Sequence, residues 1–258
     1  MMLATSSVLQ LVPSSFRSSL TRALQVLEQQ VPDIELAAVV GSVPQGEWTA
    51  ASDIDLLFAT QYPVDIELLC SVESLLEQTE KHVQLIWFTY DQLLEHFANR
   101  TTMAHSLKRG LIIHDPVGKL AGLCAQLSEP PTKKWIREWF SMFDDLYQTE
   151  RWLAKLYWRR HRGWRQTGEC VCLISNTMAR VVVNLSILYL ELLDIIPTTK
   201  QQIRAGMAAV KPAWSPAVEL ALQARKYDRE LTWDEFCLLS RTARELRRAI
   251  VPRLVPGD

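Results

Sequence analysis

A chain of 258 residues, 48% hydrophobic and 22% charged, can bury a sizeable core, which excludes a miniature fold dependent on disulfide or metal staples. The net charge of −1 conceals an asymmetry: residues 1–120 carry 7 Lys/Arg against 14 Asp/Glu, and residues 121–258 carry 21 against 15. An acidic half (−7) joined to a basic half (+6) implies two modules with different partners, or one cleft with opposed walls.

In chain order, residues 14–30 place Phe16, Leu20, Leu24 and Leu27 at helical spacing. Residues 34–40 are short, apolar and β-branched and end at Gly41, the pattern of a strand entering a turn. Residues 53–60 give a second strand, 66–80 a helix and 82–88 a third strand. Thr89 with Gln92 forms a capping box for the next helix, and 111–113 suggest one more short strand. Ser128-Glu129-Pro130-Pro131-Thr132 has linker chemistry, because two prolines stop a helix and stiffen the join. Beyond it the pattern is helical: 133 to about 160, 170–195 ended by Pro197, shorter helices after Thr198 and Pro216, and a last helix to Ile250. Thr232 and Glu235 form the capping box of that last helix. The expected fold class is α+β: a small mixed sheet with helices in residues 1–128, then an all-α bundle in 129–258.

The five cysteines (Cys70, Cys124, Cys170, Cys172, Cys237) are odd in number and irregularly spaced, as expected of free thiols in a reducing cytoplasm. Cys170 and Cys172 lack the matching second pair of a zinc site. The N-terminus has no cationic start and apolar run of a signal peptide. The most apolar stretch, residues 170–196, is broken by Asn176, Arg180, Asn184, Glu191 and Asp194, which favours a buried helix over a membrane span.

The chemistry concentrates in residues 41–57, where a strand leads into Gly41-Ser42 and the next opens with Ser52-Asp53-Ile54-Asp55. Alternation along a strand points Asp53 and Asp55 to one face, ~7 Å apart, and Ile54 to the core. Two such carboxylates repel unless a cation lies between them. Mg²⁺ suits them, because it takes one or two carboxylates together with phosphate oxygens. Gly41 lets the backbone approach a phosphate closely, and Ser42 can donate a hydrogen bond to it.

This arrangement resembles the signature of the DNA polymerase β-like nucleotidyltransferases, a Gly-Ser after one strand and an Asp-x-Asp on the next. Ser52 and the spacing are similar to those of the aminoglycoside adenylyltransferases and minimal nucleotidyltransferases. The resemblance spans about residues 34–118, including Arg109–Pro116, which is similar to a strand closing that domain. The helical remainder is similar by analogy to the C-terminal bundles of those resistance enzymes and to HEPN-type partners of the minimal enzymes. The resemblance implies Mg²⁺ at Asp53 and Asp55, and a nucleoside triphosphate, ATP foremost, at Gly41, Ser42 and Ser52. It implies transfer of a nucleoside monophosphate to a hydroxyl of a small molecule, protein or RNA, with an RNA or protein partner or a homodimer left open.

Gln84 departs from the family pattern, which has a third carboxylate at the matching strand position. An amide can hold a metal-bound water or a sugar hydroxyl, but it cannot accept a proton at neutral pH. Glu80, Glu67 or Asp144 could stand in for the missing base. The alternative is a weak or silent nucleotide- or RNA-binding regulator, such as a toxin–antitoxin component.

Other features have plainer readings. The basic, aromatic run from Trp158 to Arg165 could hold phosphates or stack on bases, but it also fits a solvated helix end, the favoured reading. An anionic acceptor, a tRNA end or a protein hydroxyl suits the basic half, whereas a polycationic aminoglycoside would need an acidic wall, for which Asp144, Asp145 and Glu150 are available. Arg100 and His105 match the spacing of HEPN ribonucleases but fall outside the helical half, so coincidence is the better reading. Trp135, Trp139, Phe143 and Trp152 are expected in the core of the bundle.

Overall fold

The structure, a computed structural model, describes residues 6–50, 52–167, 174–227 and 229–254, the side chains of residues 6, 7 and 160–167 excepted. It divides into two compact units, Met1–Glu129 and Pro130–Asp258.

The first unit is a four-stranded mixed sheet between two helical layers. After α1 (Ser6–Gln10) and α2 (Ser14–Gln30), the chain forms β1 (Ile34–Val40) and β2 (Ile54–Thr60). It continues through α3 (Ile66–Leu76), β3 (Val83–Thr89), α4 (Tyr90–Ala98), α5 (Thr102–Lys108), β4 (Leu111–His114) and α6 (Lys119–Gln126). The strand order is β3-β2-β1-β4, with β1 antiparallel to both β2 and β4, and β2 parallel to β3. Parallel pairing needs a crossover, and α3 supplies it.

Side-chain alternation explains the two layers. Ile54, Leu56 and Phe58 pack with Phe16, Leu20, Leu24 and Leu27 of α2 and Val72 of α3. The intervening Leu57 and Ala59 pack on the opposite face with Leu93 and Phe97 of α4, Leu107 of α5 and Leu120 of α6. Both faces of β2 are thus buried, and its central residues form one continuous apolar run. Thr89 accepts from the Gln92 N–H at 3.3 Å while the Gln92 side chain accepts from the Thr89 N–H at 2.9 Å, the capping box read in the sequence. Gly110 sits where a side chain would stand 2.7 Å from the Val39 carbonyl oxygen, so the turn into β4 lies tight against β1.

The second unit is helical: α7 (Lys133–Thr167), α8 (Thr177–Glu191), α9 (Lys200–Val210), a 3₁₀ turn at Pro212–Trp214, α10 (Ser215–Lys226) and α11 (Trp233–Leu254). Helix α8 is buried on nearly every face, from Met178 to Leu190, and the other helices pack around it. Thr232 and Glu235 complete the expected capping box of α11. Arg229 clamps the Glu235 carboxylate with both terminal nitrogens, at 2.8 and 3.0 Å.

Several expectations shift on inspection. Helix α3 ends at Leu76 rather than residue 80, because the chain turns at Thr79, whose hydroxyl donates to the carbonyls of Leu76 and Lys81. Phe143 is buried and Trp139 packs on the core, but Trp152 is 59% exposed and does not belong to it. Cys170 and Cys172 lie outside the described residues; Cys70, Cys124 and Cys237 form no disulfide among the described residues. Among the described residues no helix is long and apolar enough to cross a membrane.

Candidate active site

The β1–β2 connection brings the predicted residues to one end of the sheet. Antiparallel pairing sets Val40 opposite Asp55, so Gly41 lies directly beside the Asp55 side chain. Gly41 has φ +76°, a left-handed conformation that favours glycine. A Cβ there would run into Asp55 Oδ2 and stand 3.2 Å from its Cγ. Glycine is therefore required twice over, for the turn and for the carboxylate behind it.

The loop after Gly41 is held by its own hydrogen bonds. Gln45 donates to the Gly41 carbonyl at 3.0 Å, and the Glu47 N–H donates to the Ser42 carbonyl at 3.0 Å. The Ser52 hydroxyl oxygen accepts from the Thr49 N–H at 2.8 Å, so part of its capacity holds the turn that delivers Asp53. Trp48 packs edge-on against Phe16 at 5.4 Å, which anchors the loop to α2. Lys81 donates to the Ala50 carbonyl at 2.8 Å and fastens the far side of the loop.

Asp53 immediately precedes β2 and is partly exposed, and Asp55 is the second residue of that strand. Ile54 between them is fully buried, as alternation requires. In the parallel β2–β3 pair, Asp55 stands in register with Gln84, which is exposed. Residues in register on neighbouring strands share a face, so an amide stands next to the Asp55 carboxylate.

Sequence reasoning missed His82. Its Nδ1 lies 3.9 Å from Asp53 Oδ1, and its side chain is 69% exposed. The His82 carbonyl accepts from the Ile54 N–H at 2.9 Å, the first contact of the β2–β3 pairing, and this places the two residues that precede the strands side by side. Only that pairing, which a single sequence does not display, could have revealed it.

The donor set fits a divalent cation carried in with phosphates. Two partly exposed carboxylates lie at a strand end, and that of Asp55 occupies the space a Cβ on Gly41 would need. No cluster of three or more His, Cys, Asp or Glu suited to a metal occurs among the described residues, so a closed, all-protein cage has no counterpart here.

Other candidates have structural work. Asp144 is ion-paired with Arg247 inside the helical unit, and Glu150 is buried, bonded to Thr177 and Ser175. Arg100 pairs with the Glu129 carboxylate and His105 Nε2 lies 3.0 Å from the Glu129 carbonyl, so both tie down the end of the first unit. Trp158 stacks on Trp233 at 5.0 Å, and the side chains of 160–165 in the basic run lie outside the described residues.

Residues 20–109 match the family model of the Nucleotidyltransferase domain. The chain carries a nucleotidyltransferase domain. The match runs from within α2 to the end of α5 and includes Gly41, Ser42, Ser52, Asp53, Asp55, His82 and Gln84. The crystal structure of spectinomycin adenyltransferase AAD(9) from Enterococcus faecialis, with ATP and spectinomycin, has a similar fold. Its TM-score is 0.53 at 12% identity, over 90% of this chain and 98% of that one. The structure of a nucleotidyltransferase-like protein from Exiguobacterium sibiricum 255-15 gives a TM-score of 0.39 at 17% identity, over 90% of this chain and 75% of that one. No curated protein matches the sequence.

Proposed function

We propose that the nucleotidyltransferase domain transfers a nucleoside monophosphate from a nucleoside triphosphate, ATP foremost, to a hydroxyl, with Asp53 and Asp55 holding Mg²⁺. The observation that supports this most is the packing of Gly41 against Asp55: a phosphate-approach turn and a metal-binding carboxylate built as one unit. Mg²⁺, bound in pairs as two-metal transfer requires, would neutralise the triphosphate and the charge that develops on it. The Gly41–Ser42 turn would position the triphosphate through its backbone and the Ser42 hydroxyl, with Ser52 beside it. The acceptor oxygen forms its bond to the α-phosphorus as the bond to the bridging oxygen breaks and pyrophosphate leaves. Positioning and charge neutralisation supply most of the rate in such a displacement.

The acceptor's proton needs a destination, and Gln84 cannot take it. With Asp144 paired to Arg247, Glu80 and Glu67 remain the nearer substitutes in sequence, or the proton passes to water. The register of Gln84 with Asp55 also favours a second reading, a domain that binds nucleotide and transfers slowly or not at all. Residues 1–128 would carry the nucleotide site in both readings, transferring in the first and only binding in the second, and 129–258 would form the helical domain.

The test is transfer from α-labelled ATP with Mg²⁺ to a panel of acceptors: spectinomycin, an aminoglycoside, tRNA and the protein itself. Labelled product that vanishes in Asp53→Ala or Asp55→Ala supports transfer. Mutant-sensitive nucleotide binding with no product supports the silent reading.

A further inference from the structure

The helical unit holds a concavity lined only by its own residues. A cavity of about 200 Å³ opens between α7 and α11, lined by Tyr147, Arg151, Phe236, Ser240, Arg241 and Arg244. The positions recur at helical spacing. Tyr147 and Arg151 are one turn apart on α7, and Ser240/Arg241 and Arg244 form successive turns of one face of α11. At ~30 Å³ per water molecule the space would hold several waters, enough for a compact polyatomic ion and part of its substituent.

Its charge is one-sided. None of the lining residues is acidic, and none of Arg151, Arg241 and Arg244 has a carboxylate partner among the described residues. The neighbouring Arg247 shows the contrast, because it is paired with Asp144. Guanidinium groups gathered without a counter-charge repel one another, and a dianion relieves that repulsion with bidentate hydrogen bonds.

Tyr147 adds a second, independent observation. It is fully buried, and its hydroxyl has no hydrogen-bond partner. Its ring is covered by the guanidinium groups of Arg247, at 4.6 Å, and Arg151, at 5.5 Å. A buried phenol that makes no bond costs free energy unless something accepts its proton. The hydroxyl is closed to the adjoining cavity in this conformation, so a phosphate oxygen would do so only after a side-chain shift that opens it, whereas Ser240 lines the cavity with another hydroxyl.

We infer that this cavity is an anion site for a phosphate group, carried by a phosphorylated small molecule or present as free phosphate. Three cations and two hydroxyls match a phosphomonoester dianion better than a single carboxylate. The site lies wholly within residues 130–258 and does not rest on the nucleotidyl-transfer reading.

The experiment is calorimetric titration of the full chain with inorganic phosphate and, separately, glycerol phosphate, with sodium acetate and chloride at equal ionic strength as controls. Saturable phosphate binding is expected, weakened about tenfold or more by Arg241→Gln with Arg244→Gln, since each charge-assisted pair is strong. These exposed positions should leave the melting temperature without phosphate unchanged. Tyr147→Phe should weaken binding severalfold, and Asp53→Ala with Asp55→Ala should leave it intact. Tighter glycerol phosphate would identify a phosphorylated small molecule, and equal or tighter inorganic phosphate the free ion. Binding unaffected by the arginine changes, equal binding of acetate, or arginine-dependent binding of single-stranded RNA without phosphate binding would each overturn the inference.

Discussion

Gly41 and Asp55 are built against each other: the space a Gly41 side chain would need is taken by the Asp55 carboxylate. Gly41→Ala is therefore expected to move the carboxylate and strain a turn at φ +76°. The backbone cost alone is ~1–2 kcal/mol. Nucleotide affinity in the presence of Mg²⁺ should fall at least about tenfold, a 1.4 kcal/mol effect, while circular dichroism stays that of the wild type. Unchanged affinity would show that the turn and the carboxylate do not share a ligand.

Gln84 tests the missing base. Because it stands in register with Asp55 on the neighbouring parallel strand, Gln84→Glu puts a proton acceptor on the same face. A general base typically contributes ~10²–10⁴-fold. A gain in kcat of that order, read as pyrophosphate release, is expected if proton removal limits the reaction. No gain would mean that another group or water already takes the proton.

In the helical unit Arg229 and Glu235 close the N-terminus of α11. The two hydrogen bonds from Arg229 hold the Glu235 carboxyl at about 2, well below the usual carboxylate range. A depressed folded-state value means the contribution is present above the ordinary carboxylate pKa and is lost as pH falls toward 2. Both groups are partly exposed, so solvent screening limits the pair and its cap to ~1 kcal/mol. Glu235→Gln should lower Tm at pH 7, and the difference from wild type should shrink in acid. Equal Tm differences at both pH values would contradict the assignment.

Glu150 works with the opposite sign. Burial raises its pKa, opposed by hydrogen bonds from Thr177 and Ser175. A raised folded-state value means its contribution is fully present below the ordinary carboxylate range and is lost as pH rises. Glu150→Gln keeps the acceptor oxygen and removes the charge, so it should raise Tm at pH 8, with the gain fading toward pH 4. A lower Tm at pH 8 would show that the charged form is the one the fold prefers.

The sheet was legible because its strands obey simple rules. Apart from Glu35, Asp55 and Thr60, residues 34–40 and 54–60 are apolar on both faces, and Gly41 punctuates the turn, so β1, β2 and the Asp53–Asp55 spacing could be read directly. Pairing could not. Gln84 was picked out by the family resemblance, but its register with Asp55 and the approach of His82 to Asp53 follow from the parallel β2–β3 pairing, a long-range relation across the α3 crossover. Helix α8 was legible from its apolar density, but Trp152 was misplaced because aromatic content alone does not tell the core face of α7 from its exposed face. The arginine cavity was invisible, since its residues lie ~90 positions apart in the chain and meet only when α7 packs on α11.

The central claim is that Asp53 and Asp55 hold a divalent cation for a nucleoside triphosphate. Calorimetric titration with ATP, GTP, CTP and UTP, with and without Mg²⁺, on wild type and on Asp53→Ala/Asp55→Ala tests it most directly. The account predicts Mg²⁺-dependent binding of at least one nucleotide that the double substitution abolishes. Metal-dependent binding that survives the double substitution, or no binding by the wild type, would contradict it.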